Sequence, residues 1–251
     1  MRVPGWRLSS LPVMHVLEVW RYPVKSLRGE QLDETRISFE GVEGDRRYAI
    51  FDVATGFGLT ARRAPELLFA TARLRPDASV EITLPDGTIA ADDDALSDWL
   101  GREVTLCSTE QVTQRRFENP EDFENESTGR WEPFEGSSGA FQDSGNAAVS
   151  LLSRPSMRDW NQQRFRANIV LDEAGENELV GTRITLGEAI LDVRQPLERC
   201  VMVTRPQPGG IERDLDVLRT IHRELDGCLA IGAVVTEPGR VRTGDRVHPP
   251  S

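Results

Sequence analysis

At 251 residues the chain is long enough for one large or two small domains with a substantial core. Its 38% apolar and 28% charged residues suit a soluble globular protein, and no apolar run approaches the ~20 residues that a membrane helix requires. The formal charge of −11 argues against nucleic acid or an anionic membrane as partner, because both demand a broad basic surface; an anionic ligand has to be met by a local cluster.

Residues 1–13 read as a loose N-terminal extension, since Pro4, Gly5 and Pro12 break any signal-like apolar stretch, and Met14 is an alternative start. Period-2 alternation then predicts short strands at 14–22, 35–39, 47–52, 69–74, 80–84 and 88–90, the last two joined by a Pro85-Asp86-Gly87 turn. Three carboxylates, Asp92 to Asp94, followed by Gly101 predict a helix over 92–100, and a strand follows at 103–107. Residues 109–146 lack periodicity and form a long acidic connection, in which Phe117, Phe123, Trp131, Phe134 and Phe141 suggest packing and a lid. Beyond it come strands at 147–152, 169–171, 183–186, 189–193 and 229–236, a short helix near Arg154-Pro155, and a helix over 214–226 with Leu215, Leu218, Ile221 and Leu225 on one side. The fold class is mostly β with a few helices (α+β): an N-terminal β-barrel-like domain (14–108), the connection (109–146) and a second barrel (147–250).

Lys25 is the only lysine among 30 lysines and arginines, and it stands just after the first strand, in Tyr22-Pro23-Val24-Lys25-Ser26. A compact ammonium retained in a chain otherwise given to arginine suggests a ligand geometry that the planar fork does not fit, although a lone lysine is also common on a solvated surface. Cys107, Cys200 and Cys228 are too widely spaced for a disulfide framework or a CxxC metal pair, which points to a reducing, cytoplasmic location. Cys200 is the best candidate for chemistry: the adjacent Arg199 would favour its thiolate, the form needed for nucleophilic attack and for ligating a soft metal. Cys107 and Cys228 read as structural. Arg166 and Asn168 alternate about Ala167 on an expected strand, so they share a face and could hold an oxyanion or a pterin edge; a solvated barrel surface would look the same. In Gly44-Asp45-Arg46-Arg47, Arg46 is a further cation, oriented either by Asp45 or by a ligand. His15, His222 and His248 have no metal-ligand spacing.

The order YPVKS, GDRR, FRAN and RC, spread from Met14 to Val247, resembles the MOSC family, the molybdenum-cofactor sulfurase C-terminal domain preceded by its N-terminal β-barrel partner; amidoxime-reducing components and their bacterial relatives are similar. The resemblance implies a molybdenum cofactor of the molybdopterin form, with Cys200 as metal ligand and Lys25, Arg46 and Arg166 gripping its anionic tail. Ser26 and Asn168 match further cofactor contacts, and Asp143-Ser144-Gly145 matches a loop that approaches it. Reductases of the family usually carry a small residue where this chain has Glu198, a charge that either sits near the metal or turns away. The implied activity is oxygen removal from a small N-hydroxylated or N-oxide substrate, with electrons from a separate donor protein because no iron–sulfur spacing follows. The alternatives are a cofactor or sulfur carrier with a persulfide on Cys200, an anion-binding barrel without turnover, and a pyridoxal-phosphate enzyme using Lys25, which nothing else in the chain supports.

Overall fold

The computed structural model describes residues 13–249 apart from 113, 123–125 and 127–128. Phe123 of the expected lid and residues 1–12 of the expected extension lie outside the described residues.

The centre of the molecule is a closed seven-stranded barrel with one added edge strand. Around the ring run Ile169–Leu171, Val149–Ser153, Cys228–Glu237, Ala189–Glu198, Arg183–Leu186, Arg246–His248 and Met14–Arg21, and the last pairs back onto Ile169–Leu171 to close it; Glu30–Leu32 extends beyond. Closure leaves few free edges, and it is the N-terminal strand that completes it, through Val16 opposite Leu171 and Val19 opposite Ile169. Alternation fills the interior: Val16, Leu151, Ile169, Leu171, Leu191, Ile231 and Ala233 point into one core. The run at 229–235 reads as continuous apolar sequence because its other face is covered too: Leu229 and Ala230 pack with Leu152 and Val170 under the helix Leu215–Leu225. That helix buries Val217, Leu218 and Ile221, so the face lies one residue round from the expected one, with Leu215 at its edge. It stops where Asp226 and Gly227 both take positive φ.

Only one neighbouring pair in the barrel is parallel, Val149–Ser153 with Ile169–Leu171. Parallel strands need a crossover, and the segment 154–168 that supplies it carries Arg164, Arg166 and Asn168 back over one end of the barrel. On the opposite side, Ala189–Glu198 slips register against Cys228–Glu237 at Val193/Gln195 and again at Pro196/Glu198. These bulges turn the strand end away from regular pairing.

The remaining strands form small antiparallel units: Tyr48–Asp52 with Val104–Ser108, and Thr71–Leu74 with Val80–Thr83, around Val24, Leu27, Ile50, Leu67 and Leu96. The helix Asp93–Leu100 forms as expected, its Asp92 carboxylate accepting from the Ala95 N–H at 3.0 Å. Residues 109–146 are not without structure. Arg116–Pro120 and Trp131–Glu135 make a two-stranded sheet, and Phe117 and Phe141 pack with Phe51 in a small aromatic core. Among the described residues no helix is long and apolar enough to cross a membrane.

Candidate functional site

A cavity of about 730 Å³ opens between the barrel end, the 154–168 crossover, the first loop of the chain and the 109–146 segment. Lys25, Ser26, Arg46, Asp143, Ser144, Arg166, Asn168, Arg199 and Cys200 all line it; of the residues singled out from sequence, only Gly145 is not among its walls.

The loop after the first strand holds Lys25 by its backbone, whose N–H donates to the Tyr48 carbonyl at 2.8 Å. The buried ammonium donates to the Phe141 carbonyl at 2.8 Å and to Asp143 Oδ1 at 2.5 Å, and it lies 4.5 Å from the Phe117 ring centre. Burial pulls the Lys25 pKa down, and Asp143 acts against that. Asp143 also pairs with Arg62, through Oδ2. Burial would raise the carboxyl, yet Lys25 and Arg62 together hold it well below the usual carboxylate range. Its side chain is still 44% exposed to the cavity.

Arg62 was visible in the sequence only as half of an Arg62-Arg63 doublet. The two diverge: Arg63 faces outward over Trp131, while the Arg62 Nε donates to Cys200 Sγ at 3.3 Å. Arg199, expected to serve that sulfur, spends its hydrogen bonds on the Leu229 carbonyl (2.6 Å) and the Phe165 carbonyl (3.3 Å). Arg199 lies where the strand end still pairs with the Cys228 strand, its own N–H donating to the Gly227 carbonyl at 2.9 Å, so it reaches Cys200 by charge and not by a hydrogen bond. Arg205 braces this arrangement by donating to the Arg62 carbonyl at 2.7 Å while it pairs with Glu126 of the connection.

Arg46 and Arg166 form a second cationic corner. Arg46 pairs with Asp45, whose other oxygen accepts from the Tyr22 N–H at 2.7 Å, and its Nη2 donates to the Arg166 carbonyl at 3.2 Å. Both guanidinium groups lie over Tyr22, 5.1 Å and 4.3 Å from its ring centre. Burial drives the Tyr22 hydroxyl well above its ordinary range, so the ring is a neutral platform. Arg166 is not on a strand: its φ is 54°, and strand geometry begins only at Ile169. It reaches the cavity through this turn. Ser26 (φ 69°) and Arg46 (φ 49°) share the left-handed conformation, which costs each of these side-chain-bearing residues energy and is held by the hydrogen bonds around them. Asn168 is fixed by Ser150, whose N–H and hydroxyl donate to Oδ1 at 3.2 and 2.9 Å.

Two donors in this wall have no partner: Arg166 Nη2 and Arg199 Nη2 are buried and unbonded among the described residues. Burial, followed for Arg166 by the nearby Arg46, lowers both guanidinium pKa values to about 10, so each remains a cation in want of an acceptor. The far wall is different, built from Gln195, Pro196, Leu197, Glu198, Met202 and Cys228. Cys228 thus borders the cavity, and burial first and Glu198 next raise its pKa, as suits a structural thiol.

Fold and cleft together define a β-barrel protein with a cavity that gathers five cationic side chains on one side and carries two thiols. The chain belongs to the MOSC family: residues 13–121 match the MOSC N-terminal beta barrel domain and residues 137–248 the MOSC domain. Among curated proteins it is 25% identical over 268 residues to a molybdenum cofactor sulfurase of Drosophila grimshawi, covering 93% of this chain and 33% of that protein. It is 24% identical over 252 residues to the Drosophila mojavensis protein of the same name, covering 88% and 32%. The chain therefore spans about a third of the length of these relatives. Among solved structures, the YUAD protein from Bacillus subtilis aligns with a TM-score of 0.44 at 12% identity over 94% of both chains. YiiM from Geobacillus stearothermophilus aligns with a TM-score of 0.35 at 13% identity, over 56% of this chain and 74% of that one.

Proposed function

We propose that the cavity binds a molybdenum cofactor of the molybdopterin form and that the protein is an oxidoreductase removing oxygen from small N-hydroxylated or N-oxide compounds. The observation that carries the binding half is the pair of buried, partnerless guanidinium donors beside a soft sulfur. An anionic pterin tail would satisfy Arg166 and Arg199, and the Cys200 thiolate suits a soft metal centre. Lys25 and Arg46 add charge to the same wall, and an acidic chain can hold a multiply charged anion only in such a local cluster.

When bound, the molybdenum of such a cofactor supplies two-electron oxygen-removing chemistry. The chain's own part is binding and orientation. Arg62 steadies the Cys200 sulfur and neutralises charge beside it, Ser26 and Asn168 offer fixed polar contacts, and Asp143 opposes the lowering of the Lys25 pKa by burial. Asn119, Gln142 and Ser144 from the 109–146 segment wall the cleft on the side where substrate would enter. Electrons would come from a separate donor protein.

The curated relatives named molybdenum cofactor sulfurase favour a second reading, a carrier in which Cys200 holds a persulfide or the metal centre for delivery. One experiment separates the two: cofactor-loaded protein with reduced viologen and a panel of hydroxylamines and N-oxides. Turnover that disappears in Cys200→Ala supports the oxidoreductase. Metal binding without turnover, together with thiocyanate release on cyanide treatment, supports the carrier instead.

A further inference from the structure

The cavity is cationic on one side only. Lys25 and Arg62 are matched by Asp143, Arg46 by Asp45, and Arg166 and Arg199 bond to backbone carbonyls. Glu198 borders the opposite wall with its side chain exposed to solvent, and among the described residues it has no hydrogen-bond or ion-pair partner. It stands opposite Cys228 across an antiparallel strand pair, so the two side chains share a face, and it lies two residues from Cys200, on the order of 7 Å along an extended chain. Pro196, Leu197, Met202 and Val203 give that end of the cleft an apolar surface.

A solvent-exposed carboxylate at the rim of an apolar wall and near a thiol is unnecessary for gripping an anion and works against it. Its charge suits a different guest. We propose that Glu198 is a specificity residue that selects small organic cations, molecules with an apolar body and a protonated amine or amidine, for the end of the cavity beside Cys200. The inference rests on the proposed reading of this cleft as a substrate site. The cleft is then divided by charge: the Arg46–Arg166 corner takes the anionic tail of a cofactor, and the Glu198 wall takes a cationic substrate. An anionic substrate would be repelled at the Glu198 wall and drawn toward the cofactor corner. A neutral one would gain only the apolar contact.

The test uses three probes of one shape and different charge, benzamidine, benzamide and benzoate, titrated calorimetrically into the full chain and into Glu198→Gln and Glu198→Lys. A single partly solvated charge pair corresponds to about fivefold in affinity, so Glu198→Gln should weaken benzamidine by about that factor and leave benzamide unchanged. Glu198→Lys should invert the order of benzamidine and benzoate. Equal benzamidine affinity in wild type and Glu198→Gln would overturn the proposal, and so would a parallel loss for benzamide, which would give Glu198 a merely structural role. Reduction of two N-oxides matched in size, with and without a quaternary ammonium arm, separates this inference from the reading beneath it. Glu198-dependent benzamidine binding with no turnover of either keeps the specificity residue and removes the reductase. Turnover with the same kcat/KM for both compounds, in wild type and variant alike, keeps the reductase and removes the specificity residue.

Discussion

Replacing Asp143 by Asn removes one negative charge from between two buried cations and leaves size and shape nearly intact. Lys25 and Arg62 would then face each other without the carboxylate that binds Lys25 at 2.5 Å and Arg62 through its second oxygen. Breaking a fully buried pair costs about 3–5 kcal/mol; because the Asp143 side chain is 44% exposed, solvent screening cuts this to about 1–3 kcal/mol. For a chain of this length that is a fall in Tm of about 2–12 °C at neutral pH. The pH dependence has a definite sign. The Asp143 carboxyl is held below its unfolded range, so its stabilisation is complete above about pH 4 and fades as pH drops further through the folded value. The gap between wild type and Asp143→Asn should therefore close on strong acidification. Sulfate should also close part of it, since an anion in the cavity can take the carboxylate's place between the cations. Thermal melts by circular dichroism over a pH series, with and without sulfate, measure all of this. A variant as stable as wild type at neutral pH, or a gap that widens in acid, would refute the view that Asp143 is the counterion of Lys25 and Arg62.

Lys25→Gln should reduce molybdenum retained after gel filtration by about tenfold, the scale of one charge-assisted contact, with only a few degrees of change in Tm because Asp143 keeps Arg62; a large loss of stability with cofactor retained would make Lys25 structural. Gly41→Ala attacks the seam between the N-terminal units and the barrel. Gly41 has φ +109°, and an added Cβ would lie 2.1 Å from the Ala148 carbonyl oxygen, so a loss of about 2 kcal/mol or more, about 4–8 °C in Tm, is expected in a melt.

The parts of the fold legible in the sequence are those in which one segment carries its own signal. Asp92 to Asp94 and Gly101 mark a helix by themselves, and the alternation of 183–186 marks a strand. Arg116–Pro120 and Trp131–Glu135 were hidden because their outward positions are charged or aromatic and only Phe117 is fully buried, which leaves no period to count. That the first strand closes the C-terminal barrel is a long-range pairing with no local trace. At the site, YPVKS, GDRR, FRAN and RC led to residues that do share a cavity. Arg62 escaped because its role depends on which way one of two adjacent arginines turns, and Cys228 because its place on the cavity follows from strand register with Glu198. Arg166 reaches the cavity from a left-handed turn and not from a strand face, and a backbone conformation of that kind leaves no alternation in the sequence.

The most direct test of the account is the molybdenum content of this chain and of Cys200→Ala, both made in cofactor-competent cells and checked for equal folding. Near-stoichiometric molybdenum and pterin in wild type, with metal lost from the variant, is the predicted result. Folded wild-type protein without molybdenum, or a variant that holds as much of it as wild type, would contradict the assignment of the cavity.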